Sequence, residues 1–283
     1  MQYKPSHISF SQIMSYIGCP EHYLFRYVLG IKSPPAKAMK QGIAIHKTLA
    51  EHYSKKKEDG KGLAIKEAQD VYVNQLKSAM RDYEKELEET KALISKDFLE
   101  KEKEMDEIEM IDAGTRGIKV YHEELEPSVK PDLVEAKFEI ETNQDLNIMG
   151  YIDLTDEAEI LHDTKTTRKS PNVQELGRDP QLAIYQIGYK KLKGKNPKSY
   201  AKDFIIMGKK EAKIQRFEIK KPEIAGEAML RYIWNVLKAI QSNAWYCIHP
   251  ANSWQCSKDW DGYYRLHQEL REVGLDAMIK KYT

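Results

Sequence analysis

Several features are absent from this sequence of 283 residues, and each absence removes a class of protein. Cysteine is scarce: Cys19, Cys247 and Cys256 are odd in number and too few for a disulfide framework, so an intracellular setting is expected. No window approaches about 18 consecutive apolar residues, which excludes a transmembrane helix and, with it, a membrane partner. Residues 1–10 lack a basic segment followed by a long apolar run. No secretory leader is therefore expected, and a cytoplasmic location follows, whether the chain is bacterial, archaeal or phage-encoded. There is no Gly-x-x-x-x-Gly-Lys-Ser/Thr segment, so no ATP-driven motor is encoded and any helicase partner would be a separate chain. Internal repeats and low-complexity tracts are also missing. Nor does charge of one sign dominate: 45 basic against 44 acidic side chains leave a net +1, which by itself gives no hint of a polyanionic partner.

What is present is a strong local segregation of charge. Residues 81–112 hold 13 acids and 6 bases, a net of −7, whereas residues 160–221 hold 16 bases and 6 acids, a net of +10. The acidic stretch reads as a solvated helix face with i,i+4 pairs, and it could also shape the entrance to a site. The basic stretch carries Lys190, Lys191, Lys193, Lys195, Lys198, Lys209, Lys210 and Lys213, which could follow a phosphate backbone. Tyr151, Tyr185, Tyr189 and Tyr200 are aromatics available for stacking on unpaired bases.

Periodicity predicts a helical N-terminal part and a mixed α/β core. Ser9 or Ser11 would cap a helix running through Ile13, Ile17, Leu24 and Val28, ended by Gly30 and then Pro34 and Pro35. Residues 42–57 and 63–112 read as helices, the second with breaks, and Gly114 and Gly117 would interrupt before a short helical piece around Tyr121. After Pro127 and Pro131 the period changes to 2, predicting strands over 133–142, 146–154 and 159–165. A helix over 179–192, strands over 203–207 and 214–219, a long helix over 222–243, a loop with Pro250 and Trp254, and a terminal helix complete the reading. The chain is expected to form a single domain: residues 1–126 mainly helical, 127–221 the α/β core, and 222–283 C-terminal helices and loop.

Chemistry concentrates where the strands meet. Asp153 and Asp163 fall on neighbouring strands joined by a short turn, and Asp163 and Lys165 are two apart, so they share a face. Two carboxylates and an ammonium on a half-buried sheet are costly unless they bind something, and a divalent cation accounts for the acids. A surface salt bridge is the simpler account of Asp-x-Lys alone. Gly42 stands one turn before His46 on a predicted helix, where the imidazole is either a satisfied core group or a neutral metal ligand. Gln181 and Tyr185 place an amide and a phenol at i,i+4 on one helix face.

Taken in order, Gly42…His46, Glu135, Gly150…Asp153, Asp163-Thr164-Lys165 and Gln181…Tyr185 resemble the PD-(D/E)xK nuclease superfamily, and more narrowly its RecB-like group. That group includes the AddB type and the CRISPR-associated type. Ser9-Phe10-Ser11 and Cys19-Pro20…Tyr23…Phe25-Arg26-Tyr27…Gly30 resemble the start of the same modules, so the resemblance spans residues 9–260. It implies a restriction-endonuclease-like mixed sheet flanked by helices. His46, Asp153, Asp163 and the main-chain carbonyl of Thr164 would hold Mg²⁺ or Mn²⁺, with Asp153, Asp163 and Lys165 catalytic. Gln181 and Tyr185 would contact the substrate backbone, and Glu135 would support the site without touching the ion. Arg26 would reach a phosphate or pair with the acidic helices.

One departure concerns iron. RecB-like relatives of these types hold an iron–sulfur cluster with one early cysteine and three close late ones. Here Cys19 and Cys256 match, but Asp259 and Trp260 occupy the stretch of the missing late pair, and Cys247 lies nine residues upstream, outside the pattern. Four thiolates are the usual requirement, so no cluster is expected, and Cys19 and Cys256 would persist as buried remnants. The resemblance therefore implies a metal-dependent deoxyribonuclease acting as an exonuclease on single-stranded DNA or DNA ends, in recombination, repair or phage DNA processing. The alternatives are a structure- or sequence-specific endonuclease, including one of the CRISPR-associated kind, and a catalytically silent DNA-binding module of the same fold.

Overall fold

Ser9 caps the first helix reciprocally: its hydroxyl accepts the Gln12 N–H at 3.2 Å, and the Gln12 side chain accepts the Ser9 N–H at 2.7 Å. This computed structural model describes residues 5, 7–32, 36–141, 146–224, 226–248, 252–253, 256 and 261–283. Pro34, Pro35, Thr142, Pro250, Trp254, Asp259 and Trp260, on which several sequence expectations rest, lie outside the described residues.

In chain order, the strand β1 (His7–Ser9) leads to α1 (Phe10–Gly18), α2 (Pro20–Tyr23) with a π-turn over Leu24–Val28, α3 (Lys37–Asp59), α4 (Ile65–Thr90), α5 (Lys96–Lys103) and α6 (Glu107–Glu124). Then follow β2 (Pro131–Ile140), β3 (Asn147–Asp156), β4 (Ile160–Thr167), α7 (Pro180–Lys193), β5 (Ser199–Met207), β6 (Ala212–Ile219), α8 (Gly226–Gln241), α9 (Tyr264–Val273) and α10 (Leu275–Tyr282). The order agrees with the sequence reading, with three instructive differences. The single helix predicted through Ile13 and Val28 is broken at Cys19, which is extended at φ −165° because the following Pro20 disfavours a helical backbone there. Gly114 and Gly117, predicted as a break, lie inside α6. A Cβ on Gly114 would stand 2.0 Å from the Tyr72 ring, and one on Gly117 would stand 2.9 Å from Ile205, so glycine here permits close packing. The terminal helix is also two helices, parted by Gly274 at φ 79°.

The chain packs as two compact units, and the helical stretch 1–126 is divided between them. The first comprises Met1–Lys37, Met80–Met105 and Arg231–Thr283. Its core gathers Leu24, Phe25, Leu29, Tyr263, Leu266 and Met278, all buried. Beside that core the Tyr23 ring stacks on Trp245 at 6.1 Å, and the Tyr16 hydroxyl donates to the Ala244 carbonyl at 2.7 Å.

The second unit, Ala38–Ala79 and Asp106–Leu230, holds the sheet from β2 to β6. Neighbouring strands are antiparallel except β4 and β5, which run parallel and are joined through α7. β5 is buried almost from end to end, as a strand covered on both faces must be. Alternation explains the cover. Ile205 faces Gly117 of α6, while Lys165 on the opposite face reaches Gln181 of α7. The helix α7 starts where its sequence predicts: Asp179 accepts the Gln181 N–H at 2.8 Å, Pro180 occupies the first turn, and Gly194 at φ 76° closes the far end.

Candidate active site

β3 and β4 pair at Leu154↔His162 and Thr155↔Leu161, and the described ladder runs no further. One step on, the same register sets Asp153 against Asp163, where the two strands have stopped sharing backbone hydrogen bonds. The carboxylates thus face each other at the point where the sheet opens. Asp163 is fully buried. Its Oδ2 accepts from the Lys202 ammonium at 2.9 Å. The Lys165 ammonium stands 2.8 Å from Oδ1, so each oxygen of the buried carboxylate meets a lysine. Burial opposes charge on Asp163, yet Lys165 and Lys202 outweigh it and hold the carboxyl below its usual range.

A chain of hydrogen bonds links the lysine to the other carboxylate. Lys165 donates to Gln181 Oε1 at 2.8 Å, Gln181 Nε2 donates to the Tyr185 hydroxyl at 2.7 Å, and that hydroxyl donates to Asp153 Oδ1 at 3.3 Å. Burial and then the charge of Asp153 push the Tyr185 phenol well above its ordinary value, so it stays a donor. Asp153 is itself raised, first by burial and then, against the pull of His46, by the charge of Asp163. His46 on α3 brings Nδ1 to 3.7 Å from Asp153 Oδ2. It gets there because α3 lies close on the sheet: a Cβ at Gly42 would be 3.1 Å from Thr166 Oγ1 of β4. His46, Tyr53, Glu135, Asp153 and Thr164 line a small pocket at this point.

Glu135 occupies the β2 position opposite Asp153, between the pairs Val134↔Leu154 and Ala136↔Ile152, with a backbone φ of 46° that few side chains adopt. Its carboxyl is raised by desolvation and then by Asp153. Thus His46, Glu135, Asp153, Asp163, Thr164, Lys165, Gln181 and Tyr185 all belong to the second unit. Arg26 belongs to the first; it is exposed, with its guanidinium 5.5 Å from the Tyr27 ring centre.

Two residues that sequence reasoning missed complete the site. Lys202, 2% exposed, ties Asp163 to the side chain of Asp179, so the cap of α7 is bonded to the carboxylate of β4. A lysine inside the otherwise buried run from Tyr200 to Met207 was the available signal. On the opposite face of the sheet, the fully buried Asp203 accepts twice from Arg216, at 2.7 and 2.9 Å, and lies 3.2 Å from His162, which also meets Asp156 at 3.2 Å. This network crosses β3, β4, β5 and β6 directly behind Asp163.

The long basic stretch is less of a stripe than its composition suggests. Lys193, Lys195, Lys198 and Lys213 pair with Asp132, Glu159, Glu159 and Glu211. Lys198 and Lys209 flank opposite ends of β5, a strand about 30 Å long. Tyr189 and Tyr200 are each 1% exposed and cannot stack on a base, whereas Tyr151 is 52% exposed and shares the face of Asp153.

The donor set fits a hard divalent cation. Asp163 offers a buried carboxylate oxygen, Asp153 a second carboxylate, and His46 a nitrogen. Among the described residues, sets of three donor atoms mutually within 4.8 Å occur only around the cysteines. The looser spacing at Asp163 suits an ion that keeps several of its waters. In the first unit, Cys247, which sequence spacing sets apart, lies with Cys19 and Cys256. With three cysteines in the whole chain, an iron–sulfur cubane has no fourth thiolate here.

Compared with models of protein families, residues 7–258 match the PD-(D/E)XK nuclease superfamily. No curated protein matches the sequence. Among solved structures, the chain is similar to a crystal structure from Eubacterium rectale of a protein provisionally described as an exonuclease. The TM-score is 0.49 and the identity 10%, over 84% of this chain and 82% of that one.

Proposed function

Because this chain belongs to the PD-(D/E)XK nuclease superfamily, we propose that it is a metal-dependent deoxyribonuclease that hydrolyses phosphodiester bonds, working as an exonuclease on single-stranded DNA or DNA ends. The observation that carries the reading is the convergence of Asp153, the buried Asp163 and Lys165. Burial and the charge of Asp163 both oppose ionisation of Asp153, and a cation relieves that cost. His46, Asp153, Asp163 and the Thr164 carbonyl would hold it. When bound, Mg²⁺ or Mn²⁺ supplies positive charge at the scissile phosphate and acidifies a water.

The chain's own groups do the rest. Lys202 holds Asp163 Oδ2, so that Oδ1, beside Lys165, is the oxygen turned to the ion. Gln181 steers the Lys165 ammonium toward the carboxylates, where it orients the attacking water and offsets charge gathering on the phosphate. The water oxygen forms the new bond to phosphorus, the old P–O bond breaks, and a proton passes to the leaving oxygen. Tyr185 keeps Asp153 oriented and, with Gln181, meets the substrate backbone. The exposed ring of Tyr151 on the face of Asp153 favours a strand with unpaired bases.

The test is cleavage of end-labelled single- and double-stranded DNA with Mg²⁺ or Mn²⁺. Asp163→Ala and Lys165→Ala are each expected to lose about 10²–10⁴ in rate. A wild type inert with both metals, or a Lys165→Ala variant equal to it, defeats the enzymatic reading and leaves a silent DNA-binding module. Circular single-stranded DNA should resist cleavage. If it is cut, the enzyme is an endonuclease.

A further inference from the structure

Within the first unit, Cys19 precedes α2, Cys247 follows α8, and Cys256 lies before α9, yet their three sulfur atoms fall within 4.8 Å of one another. Cys19 and Cys256 are buried, at 0% and 4% exposure. Cys247 is also within 4.8 Å of ligand atoms of Glu21 and His267. His267, 2% exposed, lies between two acids: Nδ1 is 2.5 Å from Glu21 Oε2 and Nε2 is 2.9 Å from Asp261 Oδ2. Asp261 is in turn held by His22 Nε2 at 3.0 Å and by the Tyr263 N–H at 2.8 Å.

We propose that Cys19, Cys247, Cys256 and His267 form a structural zinc site that ties the N-terminal helices of this unit to its C-terminal helices. Three sulfurs and one imidazole are a tetrahedral zinc donor set, and the chain has no fourth cysteine for an iron–sulfur cubane. The sulfur spacing needs little adjustment, since a Zn–S bond of about 2.3 Å places tetrahedral sulfurs about 3.8 Å apart. The histidine has the support that metal-bound histidines have. With Nδ1 on the ion in place of Glu21, Nε2 faces Asp261 Oδ2 at 2.9 Å, and Asp261 is already fixed by His22 and the Tyr263 backbone. Three thiols give up three protons as one Zn²⁺ binds, so the site is a closed four-ligand centre with no place for substrate. It is distinct in ligands and in unit from the carboxylates of the nuclease site.

The test uses the full-length chain, purified without added metal and then titrated with Zn²⁺ and with Co²⁺. One zinc per chain is expected, released by a thiol-modifying mercurial. Cobalt should give sulfur-to-metal charge-transfer absorption together with the intense visible bands of a tetrahedral ion. Asp163→Ala should keep those bands, because cobalt on carboxylates has no sulfur to give them. Cys247→Ser should lose the charge-transfer intensity of one thiolate, and Asp261→Asn should weaken zinc by about 10–100-fold. The wild-type titration needs no variant to fold. A wild type that takes up cobalt without thiolate absorption overturns the site. So does anaerobically purified brown protein with stoichiometric iron, and so does a Cys–Cys disulfide in place of metal.

Discussion

Asp153 and Asp163 come from neighbouring strands joined by a turn, whereas Cys19, Cys247, Cys256 and His267 come from opposite ends of the chain. Both groups are withdrawn from water, but the two regions manage charge differently. Around Asp163 two lysines neutralise one carboxylate while Asp153 brings a second beside it, so the region is poised for a partner that comes and goes. Around His267 acids and sulfurs close on an imidazole from several sides, a donor set suited to a partner that stays. The difference shows why one unit is read as catalytic and the other as stapled.

The sharpest way to break the comparison is at Lys202. It is 2% exposed and bridges Asp163 to Asp179, so Lys202→Met leaves a buried carboxylate with one cation fewer. Removing one partner of a buried pair costs about 3–5 kcal/mol. The loss should appear as a lower unfolding transition for the unit holding the sheet, with cleavage reduced in parallel. Because two units need not unfold together, the transitions should be followed separately, by tryptophan fluorescence of Trp245 for the first unit and by hydrogen exchange of β4 and β5 for the second. If Lys202→Met leaves the β5 amides as protected as in wild type, the lysine is a bystander to Asp163.

That residue also marks the limit of what the sequence revealed. The hairpin acids, Lys165, Gln181 and Tyr185 were legible because each lies at a short, regular offset on a strand or helix of clear period, so geometry follows from spacing. Glu135 was expected on the preceding strand only from the family resemblance; its position opposite Asp153 and its positive φ come from the structure. The Lys202–Asp163 and Asp203–His162 contacts were hidden because they join residues 39 and 41 apart, on β4 and β5, paired through a parallel ladder that spacing does not reveal. Cys247 lies nine residues from Cys256 along the chain, outside the family's cysteine spacing, yet within 4.8 Å of it in space, a closeness that loop spacing does not reveal. Gly114 was misread because a glycine that breaks an isolated helix can instead admit a tyrosine ring in a packed one.

A smaller effect sharpens the catalytic side. Tyr151 is exposed on the face of Asp153, and stacking one base on an aromatic is worth about 1–3 kcal/mol. Tyr151→Ala should therefore raise KM for single-stranded DNA by roughly 5–100-fold. Its kcat and the protection of β3 should hardly change. Tyr189→Phe, deep in the unit, should leave KM alone. Equal KM for wild type and Tyr151→Ala would remove the ring from the substrate path.

The smallest effect contrasts two buried histidines. Burial first and then His122 hold the His52 imidazole below its usual 6.5, so in the second unit it is buried neutral. Burial also opposes charge on His267, but Asp261, Cys19 and Glu21 outweigh it and push this imidazole from 6.5 up to about 12. The signs are therefore opposite. A lowered value contributes stability that is whole above 6.5 and is lost as pH falls through it. A raised value contributes stability that is whole below 6.5 and is lost as pH climbs toward about 12. In metal-stripped protein, acidification from about pH 7 to pH 5 should cost the second unit stability through His52 and leave the contribution of His267 intact. Asp153 and Glu135, both raised, titrate in the opposite sense nearby, so the measurement is a difference. Hydrogen exchange in α3, corrected for its intrinsic pH dependence, should lose more protection on acidification in wild type than in His52→Gln. α9 should show no such difference. Equal slopes in α3 would mean that His52 binds its proton alike in the folded and unfolded chain, so that burial does not hold it neutral.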